Sequence, residues 1–164
     1  MISRLLFCDV SMAASVFSEG LALEKPPGRG TLSSIEEHLR ESVVFVYKRG
    51  GKIVGLVSAQ KKGDDALMIT FICALVQRKG IGRELMRRVA KYAARSGVRF
   101  IYSTVSERDS RAREFYKHCG FRQYNRQVVD YVGEKDLTLY KIKVEPKTIL
   151  KTLSLRVINE KSHC

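Results

Sequence analysis

Residues 67–76 form an apolar run that ends in Gln77-Arg78-Lys79-Gly80-Ile81-Gly82 and passes directly into a periodic helix. No other stretch restricts the fold as much. Ile69, Thr70, Phe71, Ile72 and Val76 are β-branched or aromatic, so the run reads as a buried strand. Beyond it Ile81, Leu85, Val89 and Ala93 recur every four residues, which places them on one face of a helix. A strand that turns through two glycines into a helix presents several backbone N–H groups at the helix start. Such a turn suits phosphate, because the donors converge and the helix dipole adds partial positive charge. A dinucleotide fingerprint needs a third glycine where Leu85 stands, and a nucleotide-triphosphate loop needs Gly-Lys-Ser/Thr after its spacer. Neither pattern is met, which leaves Q-x-x-G-x-G.

Downstream, Ala112-Arg113-Glu114-Phe115-Tyr116-Lys117-His118-Cys119-Gly120-Phe121 reads as a helix that carries a tyrosine, is closed by glycine and returns as a strand. Residues 100–105 supply a short strand between the two motifs, and Asp136-Leu137-Thr138-Leu139-Tyr140-Lys141 lies on a last strand. In order and spacing over residues 40–145, these segments resemble the GNAT N-acetyltransferase family. That family carries Q-x-x-G-x-G, A-x-x-F/L-Y-x-x-x-G-F and a final D-x-x-x-x-K. The resemblance implies an α/β (mixed α+β) GNAT-type acyl-CoA N-acyltransferase fold, with a central, mostly antiparallel mixed sheet and helices on both faces. It also implies acetyl-CoA (CoA) as co-substrate and no metal.

Carried onto this chain, the resemblance gives the pyrophosphate to the loop that Gln77 opens. The backbone of Arg78, Lys79, Gly80, Ile81 and Gly82 would hold it, with Arg83 near the 3′-phosphate. Gly80 and Gly82 admit close approach, since a Cβ would obstruct it. The pantetheine arm is expected along Phe71, Ile72 and Cys73. Family members often have proline three residues before the glutamine, where Ala74 stands; backbone contacts do not require it.

Tyr116 is the expected general acid, a phenol at the start of a helix that protonates the departing thiolate. Such proton transfers are typically worth about 10²–10⁴-fold in rate. The competing reading makes it a core aromatic beside Phe115. His118, two residues on, is turned about 200° away and reads as a surface histidine. The general base does not emerge. The central strand offers Thr70, and the next strand Tyr102, Ser103 and Thr104. Asp109 reads as a helix N-cap, which leaves Glu107 as a candidate. A water relay, or an amine deprotonated in solvent, would need no protein base.

Hydrophobic residues make up 45% of the chain, which argues against disorder, and 164 residues suffice for one domain with an ordinary core. The expected division is a domain over residues 1–145 and an extension over residues 146–164. No apolar stretch reaches membrane-span length, and Met1-Ile2-Ser3-Arg4 lacks a signal peptide's apolar core. A cytoplasmic protein without a membrane partner is therefore expected. Cys8, Cys73, Cys119 and Cys164 lack metal-type spacing and read as reduced thiols. Net charge is +13, from 30 basic and 17 acidic residues, and the polyanionic CoA accounts for part of that bias. Arg83, Arg87, Lys91 and Arg95 repeat every four residues. Such a stripe is either a solvated face or a strip that contacts RNA.

Residues 2–7 read as a first strand, and Asp9 or Ser11 caps a helix to about residue 21. Met12, Ala13, Val16 and Leu21 make its loose apolar stripe. Lys25-Pro26-Pro27-Gly28-Arg29-Gly30 is an irregular loop, and Ser33 or Ser34 starts a second helix, each with a glutamate three residues on. In the family this helix–loop–helix builds the acceptor side of the cleft; an ordinary helical hairpin covering the sheet fits the same residues equally. Residues 43–48 and 53–60 pair about a glycine turn, while residues 121–132 and 135–144 close as a hairpin around Gly133. In the tail, Ile149, Leu153 and Val157 suit a helix, and Leu153, Leu155 and Val157 suit a strand. Packing on the domain, pairing in a homodimer and reaching the acceptor all stay open for it.

Three functions fit these residues. The first is an N-acetyltransferase acting on a primary amine, whether a small molecule, a protein N-terminus or a lysine. The order around Tyr116 and Gly133 is similar to acetyltransferases of ribosomal-protein N-termini, although those carry a glutamate where Thr104 stands. The second is acetylation of the amino group of charged tRNA, as in small basic GNAT toxins. The third is a non-catalytic acyl-CoA- or nucleic-acid-binding module, against which intact Gly80, Gly82 and Tyr116 argue.

Overall fold

The computed structural model describes residues 1–5, 9–24, 32–131 and 134–161, and of residues 20–24, 32, 130–131, 134–137 and 155–161 the backbone alone. The elements run β1 (Ile2–Arg4), α1 (Val10–Glu24), α2 (Leu32–Glu41), β2 (Val43–Arg49), β3 (Lys52–Lys62), β4 (Ala66–Ala74), α3 (Ile81–Arg95), β5 (Phe100–Ser106), α4 (Ser110–His118), β6 (Arg122–Tyr131), β7 (Glu134–Val144) and α5 (Pro146–Lys161). The strands make a seven-stranded sheet in the order β1-β2-β3-β4-β5-β7-β6. Pairs β1–β2, β2–β3, β5–β7 and β6–β7 are antiparallel, while β4 and β5 run parallel from Ala66↔Phe100. Parallel neighbours need a crossover, and α3 supplies it. This is the mostly antiparallel mixed sheet that the motifs imply. The chain forms two compact units, Met1–Lys61 with Ile69–Val89 and Lys62–Met68 with Ala90–Cys164.

In the first unit, Ala13, Ala14 and Val16 of α1, Ile35 and Leu39 of α2, Val44 and Val46 of β2, Ile53 and Leu56 of β3 and Phe71 of β4 share one apolar core. Fully burying a Val, Leu or Ile side chain contributes about 1.5–3 kcal/mol. Met12, expected in the α1 stripe, is 46% exposed instead. Consecutive helix positions differ by about 100°, so when Ala13 faces the core its neighbour turns out. Ser11 lies inside α1 rather than at its cap, where its hydroxyl donates to Glu36 Oε1 at 2.8 Å. Asp9, just ahead of α1, receives Lys48 Nζ at 2.7 Å. Helix α2 begins at Leu32, so Ser33 and Ser34 sit in its first turn and do not cap it. The first strand ends at Arg4, short of residue 7, and the irregular loop at 25–30 lies outside the described residues.

In the second unit, β5 alternates, burying Ile101, Ser103 and Val105. Asp109 caps α4 as expected, its Oδ1 accepting from Ala112 N at 2.8 Å. Strands β6 and β7 pair down to Tyr131↔Glu134, and Gly133 lies outside the described residues. The tail is helical over Pro146–Lys161 and buries Ile149 and Leu153 fully. Those two positions are four apart and lie one above the other on the buried face of the helix. Thr148 and Thr152 of that helix border Gly120.

Candidate active site

Strand β4 ends at Ala74, and Leu75 N–H donates to Val54 O at 3.0 Å as the chain leaves the sheet. The loop then takes Arg78 and Gly80 through the left-handed region, at φ +57° and +71°. Glycine adopts it freely, whereas for arginine it costs about 1–2 kcal/mol. Glu84 N–H donates to Gly80 O at 3.0 Å, the first helical bond of α3. The amides of Ile81 and Gly82 precede it, so no helix carbonyl is available to them. This arrangement fits a phosphate group: two left-handed residues, a helix start and its dipole. Arg83 folds back toward the same place, its Nη2 lying 3.8 Å from where a Gly80 Cβ would be.

Gly55 holds the loop from below, and sequence reasoning missed it. A Cβ there would sit 2.8 Å from Ile81 Cγ2 and 3.0 Å from the Cys73 carbonyl oxygen. Strand β3 can therefore approach the first residue of α3 only without a side chain. An isolated glycine inside a strand pattern is the signal that could have found it. Gln77, Arg78 and Lys79 are exposed, Gly80, Gly82, Arg83, Ile72 and Cys73 are half-buried, and Ile81 and Phe71 are buried. All of these residues belong to the first unit. The predicted face of α3 is buried as expected at Ile81, Leu85, Val89 and Ala93. Its basic stripe is mixed in character: Arg87 pairs with Glu84, while Lys91 and Arg95 are exposed.

Tyr116 lies in the last turn of α4, not at a helix start, because α4 begins at Ser110. It is buried, and Phe115 and Phe121 meet its ring edge-on at centroid distances of 5.4 and 5.0 Å. Its hydroxyl oxygen accepts from Ser103 Oγ at 3.0 Å. Tyr116 is thus a core aromatic with a polar end held by a buried serine. His118 is a surface histidine as expected, with Nδ1 2.6 Å from the Glu114 carbonyl oxygen. Glu107 takes a hydrogen bond from Tyr140 Oη at 2.6 Å, and that bond holds its carboxyl below the ordinary range. Arg113 and Arg126 act in the same direction.

A second polar group lies in the first unit. His38 Nε2 of α2 is 3.0 Å from Thr70 Oγ1 of β4, 3.3 Å from Ser58 Oγ of β3 and 3.5 Å from Ser42 Oγ. Ser58 Oγ and Thr70 Oγ1 are 2.8 Å apart. Phe17 of α1 meets His38 edge-on at 5.8 Å and stacks on Phe71 at 3.8 Å. Thr70 and Phe71 are consecutive on β4, and they meet His38 of α2 and Phe17 of α1 respectively. Burial lowers the His38 pKa, and the nearby Glu41 carboxylate offsets part of that.

The acetyltransferase (GNAT) family model matches residues 16–121, most of the chain. The chain belongs to the GNAT acetyltransferase family. Family members transfer acetyl groups from acetyl-CoA to amines. No curated protein matches this sequence. Solved structures with the same fold include Ard1 from Thermoplasma volcanium, at 20% identity and a TM-score of 0.76 over 88% of this chain and 96% of that one. The ribosomal-protein-S18-alanine N-acetyltransferase from Escherichia coli matches at 17% identity and 0.75, over 88% and 92%. An aminoglycoside 6'-N-acetyltransferase complexed with coenzyme A matches at 16% and 0.72, over 89% and 97%. Among the described residues, no group of three or more His, Cys, Asp and Glu side chains could hold a metal ion. No described helix is long and apolar enough to cross a membrane.

Proposed function

We propose that this chain moves the acetyl group of acetyl-CoA directly to a primary amine, a small molecule or a protein N-terminus or lysine, in the cytoplasm. Family membership supports the reaction class, and the loop carries the reading for this chain: Arg78 and Gly80 are left-handed ahead of the α3 start. The backbone of residues 78–82 receives the pyrophosphate, and the 71–73 stretch of β4 receives the pantetheine arm. Tyr116 gives its proton to the departing thiolate. The Ser103 hydroxyl donates to the phenol oxygen and offsets the negative charge that oxygen gains as the proton leaves.

Two measurements test the reading. Labelled acetyl-CoA is incubated with a whole-cell extract, which is then split into RNA, protein and small-molecule fractions. Label in the small-molecule or protein fraction is expected, and RNase-sensitive label would move the acceptor to charged tRNA. Isothermal titration of Gly82→Leu with acetyl-CoA should show weakened binding, and normal binding would refute the loop assignment.

A further inference from the structure

Building on the acetyl-transfer reading, we infer that His38 is the terminal proton acceptor for the acceptor amine, reached through the Thr70 hydroxyl. Ser58 and Ser103 are the buried polar side chains among the described residues. Ser103 holds the proposed acid, and Ser58 holds His38 and Thr70 together. A buried hydroxyl is kept only where it has partners, so its placement here marks a built network rather than a surface contact. Thr70 is the exposed member, so its hydroxyl is where a bound amine meets the network. It immediately precedes Phe71 to Cys73, the stretch given to the pantetheine arm.

The chemistry balances. At rest the Thr70 hydroxyl donates to the Ser58 carbonyl oxygen at 3.2 Å and has His38 Nε2 at 3.0 Å. An alkylammonium reaching it gives one proton to the hydroxyl, which turns from that carbonyl and passes its own proton to His38 Nε2, forming imidazolium. The tautomer protonated at Nδ1 leaves Nε2 as the acceptor this requires. The freed amine forms the N–C bond, the C–S bond breaks, and the thiolate takes the proton of Tyr116. His38 returns its proton to solvent. A base for this step must be neutral near pH 7, and burial against Phe17 and β4 keeps the imidazole so. Glu41 is the carboxylate acting on it; Ser42, Ser58 and Thr70 face it without charge.

The test has two arms on the full chain. In the first, NMR titration follows the three histidines, with His38→Gln assigning His38. His38 should be neutral at pH 7 and should titrate differently in Thr70→Val. A His38 charged at pH 7 overturns the inference. In the second, kcat/KM is measured against pH with a short peptide bearing a free N-terminal alanine and with spermidine. Wild type should lose rate as pH falls through an apparent pKa below the ordinary histidine value. His38→Gln should abolish that limb and slow the reaction at pH 7 by at least about tenfold, at unchanged acetyl-CoA affinity. Thr70→Val, which keeps both the shape of the strand and the imidazole, should slow it comparably. An unchanged profile in both variants overturns the inference while leaving acetyl transfer intact. A wild type that binds acetyl-CoA and acetylates neither amine overturns the acetyl-transfer reading itself.

Discussion

Two buried serines hold two titratable side chains, and the settings differ. Ser103 supports Tyr116 inside a ring of aromatic edges, with Phe115 and Phe121 against the phenol. Ser58 supports His38 in a cluster of hydroxyls that opens at the exposed Thr70. An acid used once per turnover benefits from a dry, fixed surrounding, where a hydrogen bond is electrostatically stronger. A base that must return its proton to solvent needs a route out, and a partly exposed imidazole has one. With the proposed roles, polarity and exposure match the direction in which each proton would travel.

The comparison breaks most visibly at the acid. Tyr116→Phe should lower kcat by at least about tenfold while acetyl-CoA affinity stays within error, since the lost proton acts in the transition state alone. Unchanged turnover would leave Tyr116 as a core aromatic only. Next comes the floor of the loop. Gly55→Val forces carbon atoms against Ile81 and the Cys73 carbonyl, and overpacking of this kind costs about 1–3 kcal/mol. A lower denaturant midpoint together with weaker acetyl-CoA binding is expected, and binding at wild-type strength would show that the loop does not depend on β3.

The helix that carries Tyr116 offers a milder probe. Asp109→Ala removes the cap of α4 and should cost about 0.5–2 kcal/mol in a urea melt. The smallest effect concerns His38. Because the folded-state pKa of His38 is depressed, the unfolded chain binds the proton first as pH falls below about 6.5. Its contribution to stability is thus present above that value and is lost as pH drops through the folded-state pKa. His38→Gln should flatten this part of the stability curve, and an identical curve would mean that the imidazole titrates as it does in the unfolded chain.

Sequence pattern reached these regions unequally. The β4–loop–α3 segment was legible because its signals are local: Ile81, Leu85, Val89 and Ala93 repeat every four residues, and all are buried. Tyr116 stood out from its motif, although its place in the last turn of α4 did not. His38 gave no signal, since its partners Ser58 and Thr70 lie 20 and 32 residues away and a lone histidine has no period. The start of α2 misled for a related reason, because two serines each followed by a glutamate cannot say which residue begins the helix. In the tail, alternation at Leu153, Leu155 and Val157 competed with the helical spacing of Ile149 and Leu153, and packing decided for the helix.

The left-handed backbone of Arg78 bears on anyone who would engineer this chain. Arg78→Gly relieves about 1–2 kcal/mol of conformational strain. Glycine in turn loses about 0.5–1 kcal/mol more chain entropy on folding, so a small net gain in melting temperature remains. A library selected on heat resistance alone would therefore keep that change and discard an exposed guanidinium from the loop given to the pyrophosphate. Selection on acetyl-CoA binding, run beside it, would tell whether the guanidinium adds anything to the backbone amides that Arg78→Gly leaves in place.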